Sequence, residues 1–335
     1  MSEPRADDTP LLEVHDLHVE FRVSKRVVQA VNGVNFRVSK GETLAILGES
    51  GSGKSVTFET VLGILESPPG FITGGSIRFR GQDLFALPER ERRALCGRHI
   101  GMIFQDPLSA LNPVFTVGQQ LSEMFRVHLG LGRQEAEKRA IAMLDRVGIP
   151  GAQERINDYP HQFSGGMRQR LVIAMALAAG PELVVADEPT TALDVTVEAQ
   201  ILKLLKDLQR DEGIGLVLIT HSMGVVAETA DRVAVMYGGK VVETAEVNAI
   251  FESPAHPYTR GLLASIPNAE ETTDRLVPIP GQPPDLAHIP SGCAFHPRCP
   301  FAQDICTHEI PKLQWFDDGK RGSACHFYET LMESV

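Results

Sequence analysis

Basic residues are in short supply: the 335-residue chain carries 32 Lys and Arg against 43 Asp and Glu, a formal charge of −11. Binding to a phosphate backbone needs clustered cations, so non-specific nucleic-acid binding is not expected as its main role. A long hydrophobic run is missing too. The stretch Leu171–Gly180 is about ten residues, against the roughly 20 that cross a bilayer. Met1–Pro10 is polar, with Glu3, Asp7 and Asp8, and does not read as a secretory signal. The expectation is a cytosolic chain, or one attached to a membrane only through partners. No internal repeat and no heptad run is visible. Cysteine is scarce and lopsided: of five, four fall after residue 290 and Cys96 stands far away.

What is present suits a folded protein. Hydrophobic residues make up 43% and charged residues 22%, enough for a packed core, and the length suggests roughly two domains. Leu12–Val14, Val19–Phe21 and Val34–Val38 read as strands, the early ones half exposed. Thr43–Leu47 is a nearly continuous apolar strand of the kind covered on both faces in a parallel sheet. Residues 106–170 read as a helical insert. Within Gln134–Val147, Ala136, Ala140, Met143, Leu144 and Val147 recur at helical spacing. Two more buried strands, Leu183–Ala186 and Leu216–Ile219, flank a helix around Val197–Gln209 in a βαβ rhythm. A strand pair, Arg232–Met236 and Gly239–Glu243, closes the core. From Pro254 to Pro300 lie 10 of the 22 prolines, which predicts an extended, irregular appendage.

Gly48, Glu49, Ser50, Gly51, Ser52, Gly53, Lys54 and Ser55, followed by Val56, fit the phosphate-binding loop G-x-x-x-x-G-K-[ST] at every fixed position. A buried strand precedes the loop and a helix-capable segment follows it. Glycines let backbone N–H groups turn inward around phosphates beside a helix N-terminus. Lys54 would reach the β- and γ-phosphates, and the Ser55 hydroxyl would ligate Mg²⁺. Leu183–Glu188 is an apolar strand ending in two acids. Asp187 is placed to hold the magnesium shell, and Glu188, one step on, to polarise an attacking water. Ser164, Gly165 and Gly166 stand ahead of a long helix and form another N-terminal anion site.

Together these segments resemble the nucleotide-binding subunit of an ABC transporter. The signature of that family is usually Leu-Ser-Gly-Gly-Gln, and here Phe163 and Met167 stand at its ends. The resemblance implies a γ-phosphate contact from Ser164–Gly166. It makes Gln105 the glutamine that joins metal or water to the helical insert, Leu193–Asp194 the segment at the dimer interface, and His221 the switch histidine at the γ-phosphate. Phe21 is the candidate for stacking on adenine. The implied fold is an α/β P-loop NTPase (RecA-like) core over 11–252, with an antiparallel β subdomain and a helical insert at about 106–170. An irregular C-terminal appendage follows over 253–335. ATP would sit between two such subunits, so that hydrolysis follows dimer closure.

Ser253–Leu263, with its His256-Pro257-Tyr258, resembles the segment after the core in the dipeptide/oligopeptide/nickel importer subfamily. That likeness implies two membrane permease subunits, a second ATPase subunit that makes a heterodimer, and an extracytoplasmic substrate-binding protein. The chain would then sit peripherally on the cytoplasmic face of the plasma membrane. Cys293, Cys299, Cys306 and Cys325 are clustered in a chain expected in a reducing compartment, which suggests a metal rather than disulfides. The C-x₂-C pairs of zinc ribbons are missing. The subfamily likeness points to a 4Fe–4S cluster; zinc, with His296 or His326, and free thiols stay open. Cys96 is expected to pack as a small apolar residue. Two further readings of the whole remain: a non-transport ABC ATPase scaffold, and an importer of nickel or another small solute.

Overall fold

A computed structural model describes residues 10–265 and 278–333. The polar N-terminus, part of the proline-rich stretch and the last two residues lie outside these. The chain divides into two compact units. Of the described residues, the first gathers those up to Val38, Glu42–Ala86 and those from Ile219 onward; the second holds Ser39–Gly41 and Leu87–Leu218.

In the first unit β1 (Leu12–Val23) and β2 (Arg26–Val38) form one long antiparallel ribbon. Short strands were expected here, but the pairing continues through register shifts that leave alternate residues half exposed. Bulges of this kind bend a strand without ending it. β3 (Thr43–Leu47) is buried at every position. β4 (Gly70–Phe79) pairs antiparallel with β1, and β5 (Gln82–Asp83) pairs with β4. The order β2–β1–β4–β5 is an antiparallel sheet apart from β3.

The second unit opens with β6 (Ile100–Ile103), which runs parallel to β7 (Leu183–Asp187). Gly101 lets β6 pass close to the end of helix Gly165–Leu177, because a Cβ there would stand 2.5 Å from the Ala176 carbonyl oxygen. Between the strands come helices Val117–Leu129, Arg133–Arg146 and Gly165–Leu177. The second turns Ala136, Ala140 and Leu144 inward, the face its periodicity predicts. Helix Val195–Glu212 follows, and the chain leaves the unit through β8 (Gly215–Thr220), a neighbour of β7.

Back in the first unit, β9 (Arg232–Tyr237) lies parallel to β3 and antiparallel to β10 (Lys240–Glu246). The appendage is less irregular than its prolines suggest. Helix Pro257–Ala264 follows the core, and the hairpin of β11 (Gln314–Phe316) and β12 (Arg321–Ser323) extends the sheet by pairing β12 with β10. Among the described residues, the appendage prolines fall in the links between these elements and in first helical turns. One apolar cluster joins core and appendage: Leu47, Val233, Val235, Tyr237, Tyr258 and Phe295.

Candidate functional site

The phosphate loop is shaped by what surrounds its glycines. A Cβ on Gly48 would lie 2.3 Å from the Met236 carbonyl oxygen, and one on Gly53 would lie 2.3 Å from that of Ala30. Gly51 and Gly53 also take positive φ, 78° and 98°, which other residues enter only with strain. Helix Lys54–Leu62 starts at once after Gly53, so its first N–H groups face the loop. Lys54 is buried, and its ammonium donates to the carbonyls of Gly48 at 2.7 Å and Glu49 at 3.0 Å. The buried Ser52 hydroxyl has no hydrogen-bond partner among the described residues. A cradle closed to side chains, a buried lysine at its end and an orphan hydroxyl suit an anionic ligand with several oxygens. Ser55 and Val56 follow in the first turn, both half-buried. Phe21, half-buried near the end of β1, stands opposite Val28 and Gly70. His221 is exposed directly after β8.

In the second unit the structure joins two predicted residues. Gln105 Nε2 donates to Glu188 Oε2 at 2.9 Å. Asp187 is buried as the last residue of β7, while Glu188 turns off the strand with φ 45°. The left-handed backbone separates the side chains of the two acids, and such conformations in non-glycine residues gather at functional sites. Thr191 holds the same Glu188 oxygen at 3.0 Å.

Ser164 is the N-cap of helix Gly165–Leu177, its hydroxyl accepting from the Met167 N–H. Ser164 and Gly165 are exposed, as a contact to a ligand requires. The departures at the ends of the signature have a shared structural reason. Phe163 is buried with the Arg155 guanidinium 4.1 Å above its ring, and Arg155 also donates to the Met167 sulfur at 3.4 Å. Asp194 caps helix Val195–Glu212 through the Val197 N–H at 2.9 Å.

The His256-Pro257-Tyr258 segment works as a cap and an anchor. Burial pushes the His256 imidazole down to about 3, so it is neutral, and its Nδ1 accepts from the Tyr258 N–H. Pro257 occupies the first helical turn. Glu243, buried in β10, accepts from the N–H groups of Ala255 at 2.6 Å and His256 at 2.9 Å. Its carboxyl is pushed up to about 7 by burial, against those hydrogen bonds. The Tyr258 hydroxyl, at the end of a fully buried side chain, accepts from the Glu49 N–H at 2.9 Å. The Glu49 carboxylate is held at 2.7 and 3.1 Å by both terminal nitrogens of Arg298. Sequence reasoning missed Arg298 and Glu243. Arg298 adjoins Cys299, but nothing local reveals a partner 249 positions away.

Cys293, Cys299, Cys306 and Cys325 line one cavity, with His296 and His326 at its wall. Gly292 brings the first into place with φ 69°, where a Cβ would stand 2.3 Å from the Cys306 carbonyl oxygen. Burial, together with the neighbouring cysteines, pushes Cys325 up to about 12 and Cys299 up to about 11. Among the described residues, no three His, Cys, Asp or Glu side chains form a group that could hold a metal ion. The four thiols share one cavity but are not grouped as a metal ion requires. Cys96 is buried on helix Glu89–His99, and burial pushes its thiol up to about 11. No described helix is long and apolar enough to cross a membrane.

The chain is similar to known proteins. A family model described as ABC transporter matches residues 31–191, and one described as the C-terminal region of oligopeptide/dipeptide transporters matches 242–306. The oligopeptide transport ATP-binding protein OppD of Bacillus subtilis is 53% identical over 306 residues, covering 91% of this chain and 86% of that protein. The dipeptide transport ATP-binding protein DppD of the same organism is 51% identical over 301 residues, covering 90% of each. Among solved structures, a dimeric post-hydrolysis ATP-binding cassette bound to ADP and Pi aligns with a TM-score of 0.64 at 26% identity, covering 70% of this chain and 98% of that one. The structure of cbiO1 from Clostridium perfringens, part of the ABC transporter complex cbiONQ, aligns at 0.63 with 31% identity, covering 73% and 91%.

The fold is therefore that of an ATP-binding cassette, the ATP-hydrolysing class of subunit in ABC transporters. Within that class the chain belongs to the oligopeptide/dipeptide transporter family, whose C-terminal region it carries.

Proposed function

We propose that this subunit binds ATP with Mg²⁺ and uses its hydrolysis to power import of di- or oligopeptides. The phosphates are taken by Gly48–Val56, with Lys54 on the outer oxygens and Phe21 against the adenine. Ser55, Gln105 and Asp187 hold Mg²⁺, which neutralises charge on the phosphates when bound. Glu188 accepts the proton of the attacking water, oriented by Gln105, and His221 contacts the γ-phosphate. Ser164, Gly165 and Gly166 act on the nucleotide of a second ATPase subunit, a related chain rather than a copy. Two membrane permease subunits and an extracytoplasmic substrate-binding protein complete the assembly, and the chain sits on the cytoplasmic face of the membrane. The organisation behind this is an ATPase domain over 11–252 and an appendage over 253–335.

The observation that carries the reading is one chain holding both a phosphate loop closed to side chains and the C-terminal region of peptide transporters. Co-purification from membranes with hydrophobic permease subunits, followed by ATP turnover with di- and oligopeptides, tests it. Stimulation by peptides is expected. Stimulation by nickel alone would move the cargo to a small solute, and recovery without permeases would favour the scaffold reading.

The cysteine cavity is proposed to hold a 4Fe–4S cluster through Cys293, Cys299, Cys306 and Cys325. Four thiols around one cavity support a multi-atom group, whereas a zinc ion needs its ligands about 2.3 Å from one point. When bound, the cluster takes up the thiolate charge that burial disfavours.

A further inference from the structure

The phosphate loop is gripped from outside the ATPase core. Glu49, its second residue, is tied through all three of its polar groups. The N–H donates to the Tyr258 hydroxyl at 2.9 Å, the carbonyl accepts from Lys54 at 3.0 Å, and the carboxylate receives both arms of Arg298. Two of these partners come from the appendage. Arg298 is itself fixed on every side: its side chain is 5% exposed, Nε donates to the Pro280 carbonyl at 2.8 Å, and a terminal nitrogen reaches the Tyr237 hydroxyl at 3.3 Å. The adjoining Cys299 lines the cysteine cavity and packs on the same apolar cluster as Tyr258.

We infer that Arg298 is a positioning residue for nucleotide binding, holding the phosphate loop in its ligand-ready shape through Glu49. A planar guanidinium with both arms on one carboxylate fixes angle as well as distance. It orders the turn whose other groups must meet the phosphates, and that ordering is then no longer a cost of binding ATP.

This inference rests on the nucleotide-binding role of Gly48–Val56, and its test keeps the two apart. ATP affinity of the full chain is measured with the hydrolysis-deficient Glu188→Gln background, alongside thermal melting and steady-state kinetics of the assembled transporter. Arg298→Gln is expected to weaken ATP binding about tenfold and to raise KM with little change in kcat, the pattern of lost ground-state binding. Arg298→Lys, which keeps the charge and loses the fork, should fall between. Glu49→Gln should give the same shift, and the double variant should bind no worse than either single one. Tyr258→Phe removes only the acceptor for the Glu49 N–H and should give a smaller loss in the same direction. If Arg298→Gln lowers the melting temperature but leaves ATP affinity intact, the residue is only a staple and the inference falls. Additive losses in the double variant would also overturn it. Absence of ATP binding by the unaltered chain would instead sink the nucleotide role itself.

Discussion

Gln105 and Glu188, 83 positions apart, share a 2.9 Å hydrogen bond that leaves the second Glu188 oxygen outside this contact. That contact, with the Thr191 hydroxyl on the same oxygen, fixes the carboxylate in place, and a general base must be held in place beside the proton it takes. The Glu188→Gln variant should therefore bind ATP normally and turn it over about 100-fold or more slowly, in line with the loss of a general base. Equilibrium binding with single-turnover hydrolysis checks this. Retained turnover would remove Glu188 from the role.

Gly48→Ala probes the loop by volume alone. The added methyl would press on the Met236 carbonyl oxygen at 2.3 Å and the Ser52 hydroxyl at 2.8 Å. Backbone on one side cannot yield cheaply, and overpacking of this kind costs about 1–3 kcal/mol. ATP affinity should fall about tenfold or more, with the fold retained by circular dichroism. An unchanged affinity would show that the loop relaxes elsewhere.

Glu243 should imprint a pH dependence on stability. Its folded carboxyl titrates near about 7, against the ordinary 4.5, because burial disfavours the charge. Between those values the folded chain holds a proton that the unfolded chain has lost. Its contribution is therefore full at low pH, declines as pH rises through this window, and is lost above it. Glu243→Gln removes that slope. It also destabilises by about 1–3 kcal/mol, since an amide cannot accept from both the Ala255 and His256 N–H groups through two oxygens. Denaturant melts at several pH values across the window read both effects, and a variant that keeps the wild-type slope would acquit Glu243.

Anaerobic purification, a visible spectrum and iron and zinc analysis decide the cavity. Bound iron with a cluster absorption is expected, and Cys306→Ser should lose both. Colourless, iron-free protein would leave four thiols lining a cavity with no cluster.

The sequence was most legible where one local rule acted alone. Thr43–Leu47 and Leu183–Asp187 each carry four consecutive apolar residues and are buried throughout, and the phosphate loop follows its spacing to the residue. The long β1–β2 ribbon was harder, because its outward face is polar and its bulges break the two-residue alternation. The appendage was hardest of all. Proline hides the helix Pro257–Ala264, and the hairpin Gln314–Ser323, beyond the proline-rich stretch, is defined by its pairing with β10 far back along the chain. In the candidate site, the residue types and their order were readable. The pairings were not: Arg298 meets Glu49, and Arg155 bridges Phe163 and Met167, only through tertiary contact.

The hairpin that ends the sheet carries a further consequence. β10 would otherwise present seven residues of open backbone, a template on which a second chain could add a strand. β12 covers part of that edge, and the new edge, β11, is only three residues long and turns away through Asp317 and Asp318, both at positive φ. A long ladder shortens to a stub bordered by acids. The appendage thus leaves that side of the sheet less open backbone than β10 alone would offer, a feature separate from its contacts with the phosphate loop.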